Sequence, residues 1–314
     1  MFNKGEKMKR IIIGLFSIIV LFAGSTFAET SAVRIGVFTR DIDWAPYIVA
    51  QSNGWWDTVA KKYGKTAEYS EFESLPTINE AFASNRLDIV FEAEAPAIIG
   101  KASGLDIKIK GINNSLIQQI IVQKSSNIQT VKDLKGKKIA VLAGSSAHQG
   151  LLQLLKNADL SPRDVEILDM SPTDAKVAFE SKQVDAWAVW PVFPQQELLA
   201  GEARKLKGAT YFNQTFMVMR HAFELENPGL AKDLVSVLRK AQKWIAANPK
   251  QAQMIIAKNL QLPLMIVEMS WHMINFSPKF GPLQIQDIQG KADFLYDNQF
   301  VKHPINVSQE LVEP

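Results

Sequence analysis

An eight-residue pattern occurs twice in this chain and limits the folds available to it. Residues 81–88 read Ala-Phe-Ala-Ser-Asn-Arg-Leu-Asp, and residues 178–185 read Ala-Phe-Glu-Ser-Lys-Gln-Val-Asp. Each copy follows a Pro-Thr pair and passes from a helical pattern into a strand pattern. Two similar strand patterns, 34–37 and 138–141, precede the copies in the same order. The repeat predicts two lobes of similar topology.

Short apolar runs alternate with helical patterns through the first two thirds of the chain. The runs 34–38, 87–91 and 138–142 have strand-like composition, and residues 76–84 and 151–158 carry apolar side chains at helical spacing. Alternating strands and helices indicate parallel sheets covered by helices on both faces, which is an α/β fold. The last third is predicted to be helical, because its Asn-Pro pairs are typical of helix starts.

The first 28 residues have the pattern of a cleaved secretory signal. Four basic residues among the first ten precede an uncharged apolar run at 11–24, and small residues then lead to Ala28. The run is short for a membrane span, and the alternative is an uncleaved anchor helix. We expect export through the Sec route, with cleavage after Ala28.

Composition excludes several classes of site and partner. The chain has no cysteine, which rules out disulfides, thiolate metal sites, a cysteine nucleophile and a cysteine-linked lipid anchor. The predicted signal holds four of the 35 Lys and Arg residues and one of the 32 Asp and Glu residues, so 31 of each remain. A neutral chain offers no electrostatic basis for binding nucleic acid. We expect a protein that diffuses freely in a periplasm and is not a lipoprotein.

Four segments follow predicted strands, in positions where a ligand site is expected. In open parallel sheets, ligands bind beyond the carboxyl ends of the strands, close to helix N-termini with unpaired backbone N–H groups. The segments in such positions are 39–46, 92–96, 144–148 and 187–193. We therefore expect the ligand-binding residues to lie among them.

The Gly-Ser-Ser sequence at 144–146 precedes a predicted helix and is the first candidate site. Backbone amides together with the hydroxyls of Ser145 and Ser146 suit an anion, and the alternative is an ordinary serine N-cap. His148 lies in the first turn of the same helix. It is either a donor to the anion or a structural residue.

Aromatic and acidic side chains in the other segments are further candidates. Trp44 and Trp190 are predicted to line a pocket, with core packing as the alternative. Trp187 and Trp190 point to opposite faces of one strand, which assigns Trp187 to the core. Glu92 and Glu94 are either paired carboxylates in the site or ordinary acidic residues at a helix start.

The sequence lacks the signatures of common enzymes. Its four histidines, at positions 148, 221, 272 and 303, do not have metal-ligand spacing. It has no Gly-x-Ser-x-Gly elbow, no phosphate loop and no dinucleotide fingerprint. We expect a protein that is not an enzyme and that holds no metal or cofactor.

Several segments, taken in order, resemble one family. Residues 131–141, 144–148, 184–190 and 244–249 are similar to the nitrate/sulfonate/taurine branch of ABC-importer binding proteins, as is the pair 95–96. The Gly-Ser-Ser-Ala-His run is most like that of the aliphatic sulfonate-binding proteins. The resemblance covers nearly all of the chain after the signal.

The resemblance implies a type II periplasmic binding protein fold whose two lobes close over a ligand in the cleft. Each lobe is then a mostly parallel sheet flanked by helices. Residues 29–122 and 221–314 would form the first lobe, and residues 123–220 the second.

The same resemblance implies that the protein captures a small organic anion, such as an aliphatic sulfonate or taurine, for an importer. Ser145 and Ser146 are then expected to hold the anionic head, with Ala95 and Pro96 opposite at a helix start. The implied partners are a permease and ATPase complex in the inner membrane. We expect a monomer.

Two departures from the family leave other ligands open. Ala93 and Glu92 stand where sulfonate binders usually have a glycine and a small polar residue, and Pro191 stands where an acid is common. With Asp41 and Asp43, the first lobe's rim becomes acidic, which suits a cationic or zwitterionic amine. The Trp-Ala-Pro run resembles binders of thiamine-precursor pyrimidines. A ligand-binding partner of a sensor is a further alternative to a transport protein.

Overall fold

The structure, a computed structural model, describes residues 32–39 and 41–312. The predicted signal lies outside this range, so its cleavage stays a prediction. Strands and helices alternate as far as Arg220, and helices predominate after it, as the sequence predicts. Within the described residues, no helix is both long enough and apolar enough to cross a membrane.

Nine strands and twelve helices occur in the described part of the chain. The strands are β1 (Ala32–Phe38), β2 (Thr66–Phe72), β3 (Ile89–Ala93), β4 (Ile107–Gln123), β5 (Lys138–Val141), β6 (Glu166–Asp169), β7 (Ala186–Val189), β8 (Ala203–Arg220) and β9 (Ile274–Asn275). The helices are α1 (Ala45–Ser52), α2 (Trp55–Lys62), α3 (Leu75–Ala83), α4 (Glu94–Ala102), α5 (Ser146–Asn157), α6 (Pro172–Glu180), α7 (Phe193–Ala200), α8 (His221–Glu226), α9 (Pro228–Ala247), α10 (Pro249–Leu260), α11 (Leu264–Trp271) and α12 (Pro282–Asp297).

The strands form one sheet with two similar halves. Its order is β2-β1-β3-β8-β4-β7-β5-β6, and the short β9 pairs with β4. In the first half β1 is parallel to β2 and β3, and in the second half β5 is parallel to β6 and β7. Each set of three parallel strands has an antiparallel neighbour on its inner side: β3 pairs with β8 in the first half, and β7 pairs with β4 in the second. The prediction of an α/β fold with two units of similar topology is confirmed.

The long strands β4 and β8 link the two halves. β8 pairs with β3 through residues 215–219, and β4 pairs with β7 through residues 119–122. Between these pairings, residues 115–118 of β4 and 211–214 of β8 pair only with each other and, at two positions of β4, with β9. These two stretches are the link between the halves.

The link stretches differ in composition from the neighbouring parts of the same strands. Residues 217–219 of β8 lie beside β3 within the first half. An apolar run marks burial between neighbouring strands, and Met217 and Val218 are fully buried there. The link and its flanks instead carry buried polar side chains: Asn113, Asn114, Gln118, Gln119, Asn213, Gln214 and Thr215.

The repeated sequence ends in an aspartate because that side chain holds the first strand of each half. Asp88 Oδ2 accepts a hydrogen bond from the backbone N–H of Arg34 at 3.0 Å. Asp185 Oδ2 accepts one from the backbone N–H of Lys138 at 2.8 Å. The aspartate backbone N–H groups donate in return to Arg34 O and Lys138 O. The same short motif therefore closes equivalent strand pairs in both halves.

Candidate ligand-binding site

One cavity is lined by the segments that follow β1, β3, β5 and β7. All four segments that the sequence analysis singles out contribute to its lining. The cavity also takes one side chain from the link strand β4. Its lining consists of Phe38, Asp41, Asp43, Trp44, Leu75, Glu92, Ala93 and Pro96 from the first half, Ser145, Ser146 and Trp190 from the second, and Gln118.

The two predicted serines at the start of α5 have different roles. Ser145 is the N-cap: its Oγ accepts from the His148 backbone N–H at 3.2 Å and donates to Leu142 O at 2.6 Å. A hydroxyl has one proton, so the donor capacity of Ser145 is used within the protein. Ser146 Oγ accepts from Gln118 Nε2 at 2.8 Å and has no acceptor for its own proton among the described residues. Ser146 is therefore the hydroxyl available to a ligand.

Close packing positions the N-terminus of α5 beside the cavity. Gly150 lies so near the link strand β8 that an added Cβ would come within 2.6 Å of the Tyr211 ring. Gln149 Nε2 donates to Lys291 O of α12 at 3.0 Å. The first backbone N–H groups of a helix lack intrahelical acceptors and carry partial positive charge. This end of α5 thus presents both amides and the Ser146 hydroxyl to an anion.

The structure places His148 away from the cavity lining. Its Nδ1 accepts a hydrogen bond from the backbone N–H of Gly144 at 3.3 Å. Its ring meets Phe300 edge-on, with 5.1 Å between the ring centroids. Burial lowers the pKa of His148, which favours the neutral imidazole. His148 stabilises the turn before α5, in agreement with the structural alternative.

Glu94 and Ala95 also lie outside the lining, although both are buried. Glu94 Oε1 is 2.7 Å from Lys291 Nζ, and Lys291 is 3.0 Å from Asp287. Burial raises the pKa of Glu94 to about 7, and the charge of Lys291 opposes that rise. The carboxylate of Glu94 is thus engaged by a lysine of α12, and α4 reaches the cavity through Pro96.

Three carboxyl groups, Asp41, Asp43 and Glu92, form an acidic wall on the first half of the cavity. Each is at most 5% exposed. Burial raises the pKa of Glu92 to about 8 and that of Asp41 to about 7, the latter against hydrogen bonds from Trp190 and two backbone N–H groups. Burial, and then the neighbouring charge of Asp41, raises the pKa of Asp43 well above its ordinary value.

Two members of the acidic wall have no side-chain hydrogen-bond partner in the described part of the chain. Among the described residues, Asp43 Oδ1 has no hydrogen-bond partner, and burial without any hydrogen bond accounts for the raised pKa of Glu92. Asp41, in contrast, accepts from the Ile42 backbone N–H at 2.5 Å and from Trp190 Nε1 at 2.7 Å. The unused acceptors of Asp43 and Glu92 therefore border the cavity.

Two tryptophans form the aromatic walls, as the sequence predicts. Trp190 is 7% exposed, and its indole N–H bond to Asp41 joins the second half of the sheet to the first. Its ring also meets Phe38 edge-on at 6.4 Å. Trp44 donates to the backbone oxygens of Phe38 and Thr39, each at 3.0 Å. Trp187 packs in the core against Phe179 and Phe193, and Trp190, which follows the end of β7, also meets Phe193, edge-on at 6.2 Å.

Sequence reasoning missed Gln118 and Leu75. Gln118 and its neighbour Gln119 are two polar residues within the run Ile-Gln-Gln-Ile, and a polar side chain in a buried strand is a signal of a functional or hydrogen-bonded position. Leu75 begins α3, directly after β2, so the rule about carboxyl ends of parallel strands also applies to it. In the described residues, no group of three or more His, Asp or Glu side chains is placed to hold a metal ion.

Comparison with known proteins gives a consistent set of relatives. A putative aliphatic sulfonates-binding protein of Escherichia coli (strain K12) is 28% identical, over 98% of this chain and 96% of its own length. The alkanesulfonate-binding protein SsuA from Xanthomonas axonopodis pv. citri, solved bound to MOPS, is 25% identical with a TM-score of 0.76, covering 91% of this chain and 99% of that one. The desulfurization enzyme DSZB has a similar fold, with a TM-score of 0.64 over 89% of this chain and 96% of that one, and 16% identity.

A family model described as "NMT1/THI5 like" matches residues 41–252. This range contains every residue of the cavity lining except Phe38. The predicted resemblance to the aliphatic sulfonate-binding proteins and the predicted periplasmic binding protein fold are both confirmed. By the extent of this match, the chain belongs to the NMT1/THI5-like family.

Proposed function

We propose that this chain is the periplasmic solute-binding component of an ABC importer and that its ligand is an organic sulfonate. The main support for the proposal is the cavity, which lies at the ends of four strands and at a helix N-terminus. Ligands of open α/β sheets bind at such places. Relatives named as aliphatic sulfonate binders extend over nearly the whole chain. A permease and ATPase complex would receive the solute, and the protein would act as a monomer.

The N-terminus of α5 is the proposed site of the sulfonate group. Its oxygens would accept hydrogen bonds from the Ser146 hydroxyl and from the first backbone N–H groups of the helix. Hydrogen bonds to a charged group contribute about 1.5–3 kcal/mol each. Trp44, Trp190 and Phe38 would pack against the apolar part of the ligand. Ser145 supports the site indirectly, by capping the helix.

Binding is proposed to close two lobes over the ligand. The first lobe would comprise residues 29–122 and 221–314, and the second residues 123–220. Movement would take place in the link stretches 115–118 and 211–214, since these pair mainly with each other. The bond from Trp190 to Asp41 crosses between the proposed lobes and would form on closure.

The proposal is tested by calorimetric titration of the protein with propane-1-sulfonate, taurine and MOPS. We expect at least one sulfonate to bind and Ser146→Ala to weaken that binding tenfold or more, because a charge-assisted hydrogen bond is lost. Ser145→Ala is the matched control. It should lower the free energy of unfolding by about 1 kcal/mol through loss of the helix cap, with a smaller effect on affinity.

Failure of every sulfonate to bind would contradict the proposal, as would a Ser146→Ala variant that binds like the unchanged protein. Ligand recovered after prolonged incubation should be chemically unchanged. Turnover of the sulfonate would instead indicate an enzyme.

Trp190→Phe tests the proposed closure. The variant keeps an aromatic ring beside Phe38 but loses the indole N–H that donates to Asp41. We expect ligand affinity to fall about tenfold, because the closed state loses a buried hydrogen bond. Trp187→Phe is the control: it should lower the free energy of unfolding by about 2 kcal/mol and leave affinity unchanged. Equal affinity losses in the two variants would contradict a role for Trp190 in closure.

A further inference from the structure

Gln118 is the residue that the link strand β4 contributes to the cavity lining. Its side chain is buried, and Nε2 donates a hydrogen bond to Ser146 Oγ at 2.8 Å. Ser146 is the hydroxyl that the proposed function assigns to the sulfonate. The contact lets Gln118 control which hydrogen bonds Ser146 can make to a ligand.

The hydrogen bond from Gln118 leaves the Ser146 proton free. A hydroxyl has one proton and two acceptor lone pairs, and the amide N–H group occupies one of the lone pairs. The proton cannot be donated to this nitrogen, and it has no acceptor among the described residues. Ser145, by contrast, donates its own proton to Leu142 O at 2.6 Å. Of the two serines, Ser146 thus keeps a donor for the cavity.

The other end of the Gln118 amide has the opposite chemistry. Oε1 is buried and has no hydrogen-bond partner in the described part of the chain. If Oε1 faced Ser146 instead of Nε2, it would accept the hydroxyl proton, and Ser146 could no longer donate to a ligand. A carboxylate at position 118 has acceptors alone and would always take that proton.

Gln118 lies at the end of the link that adjoins the second half of the sheet. Residues 119–122, which follow it directly, pair with β7. Ser146 begins α5, which belongs to the same half. The hydrogen bond between them would therefore persist when the proposed lobes part. A donor that is oriented before the ligand arrives lowers the ordering cost of binding.

We infer that Gln118 is a positioning residue: it holds the Ser146 hydroxyl as a donor to the anionic group at the N-terminus of α5, and it acts through Ser146 without contacting the ligand. The inference rests on the proposed function, since it takes an anion at α5. It adds a residue of the link strand whose effect on affinity depends entirely on one neighbouring hydroxyl.

A double-mutant cycle measured by calorimetric titration with propane-1-sulfonate tests the inference. Gln118→Met keeps the length of the side chain and removes the amide, and it should weaken binding about fivefold, as expected for one hydrogen bond. In the Ser146→Ala background the same change should alter affinity by less than about twofold, because the hydroxyl through which it acts is absent. Additive losses in the double variant would show that Gln118 contacts the ligand itself and would overturn the inference.

Two further variants sharpen the cycle. In Gln118→Glu the carboxylate accepts the Ser146 proton, so adding Ser146→Ala to this variant should change affinity by less than about twofold. Gln119→Met is the matched control, since Gln119 Nε2 donates to Met273 Sδ at 3.8 Å and the residue lies outside the cavity lining. It should bind propane-1-sulfonate like the unchanged protein. An affinity loss in Gln119→Met equal to that in Gln118→Met would contradict a specific role for Gln118.

The side-chain amide resonance of Gln118 gives a second readout that needs no ligand. It is identified in ¹H–¹⁵N spectra by its absence from Gln118→Met. We expect it to shift in Ser146→Ala and to remain in place in Ser145→Ala, because only Ser146 accepts from this amide. If no sulfonate binds, the proposed function fails and this measurement still decides the inference: a shift in Ser146→Ala supports the positioning bond, and an unmoved resonance overturns it.

Discussion

Replacing Asp88 by alanine should lower the free energy of unfolding by about 3–5 kcal/mol, as expected when one partner of a buried ion pair is removed. Asp88 is fully buried. Its carboxylate forms a bidentate ion pair with Arg34, which donates from Nε to Oδ2 at 2.8 Å and from Nη2 to Oδ1 at 2.6 Å. Arg220 Nη2 also donates to Oδ1, at 3.0 Å. The variant therefore removes the paired carboxylate of Arg34 and leaves Arg220 with Glu226, whose Oε2 lies 4.0 Å from Nη2.

The repeat supplies a matched control for this experiment in Asp185→Ala. Asp185 is half-buried and makes the equivalent backbone hydrogen bond to Lys138, without an arginine partner in the described residues. Its loss should cost about 1 kcal/mol, the typical contribution of one hydrogen bond. Urea unfolding measures both values. Equal losses for Asp88→Ala and Asp185→Ala would show that the arginine contacts add nothing to the stability of the first half.

In the absence of ligand, the protein should lose stability as the pH rises from about 4.5 to about 8, and Glu92→Gln should remove a large part of that loss. Burial raises the pKa of Glu92 from 4.5 to about 8. At pH values between these two, the Glu92 carboxyl is protonated in the folded state and ionised in the unfolded state. The stability that depends on this protonation is fully present below the lower pKa and is lost as the pH rises through the higher one. One pKa unit corresponds to about 1.4 kcal/mol, so the variant should gain roughly 3–5 kcal/mol at pH 9 relative to the unchanged protein.

Urea unfolding of both proteins at pH 5 and pH 9 checks this expectation. The two proteins should be nearly equal in stability at pH 5. Asp41 and Asp43 contribute slopes of the same sign, because burial also raises their pKa values, and these slopes should remain in the variant. An unchanged pH dependence in Glu92→Gln would contradict the burial of an unpartnered carboxyl at the cavity.

The fold and the place of the site could be predicted because both follow from the order of the elements. Parallel strands have their carboxyl ends at one edge, so segments after β1, β3, β5 and β7 meet there whatever side chains they carry. The repeat gave the two similar halves, since the same helix-to-strand junction, with its aspartate, occurs before β3 and before β7.

The role of each side chain could not be predicted, because it depends on direction and on partners far along the chain. Ser145 and Ser146 are adjacent, identical in chemistry and both in the cavity lining, yet the first caps α5 and donates to Leu142 O, whereas the second accepts from Gln118. Glu92 and Glu94 are two residues apart, but Lys291 engages only Glu94, from nearly two hundred residues away.

A crystal structure of the protein grown with taurine tests the account most directly. We expect electron density for one ligand in the cavity, with sulfonate oxygens within about 3 Å of Ser146 Oγ and the backbone N–H groups that begin α5, a typical hydrogen-bond distance. A cavity without ligand at saturating taurine, or a sulfonate bound away from the N-terminus of α5, would contradict the proposed site.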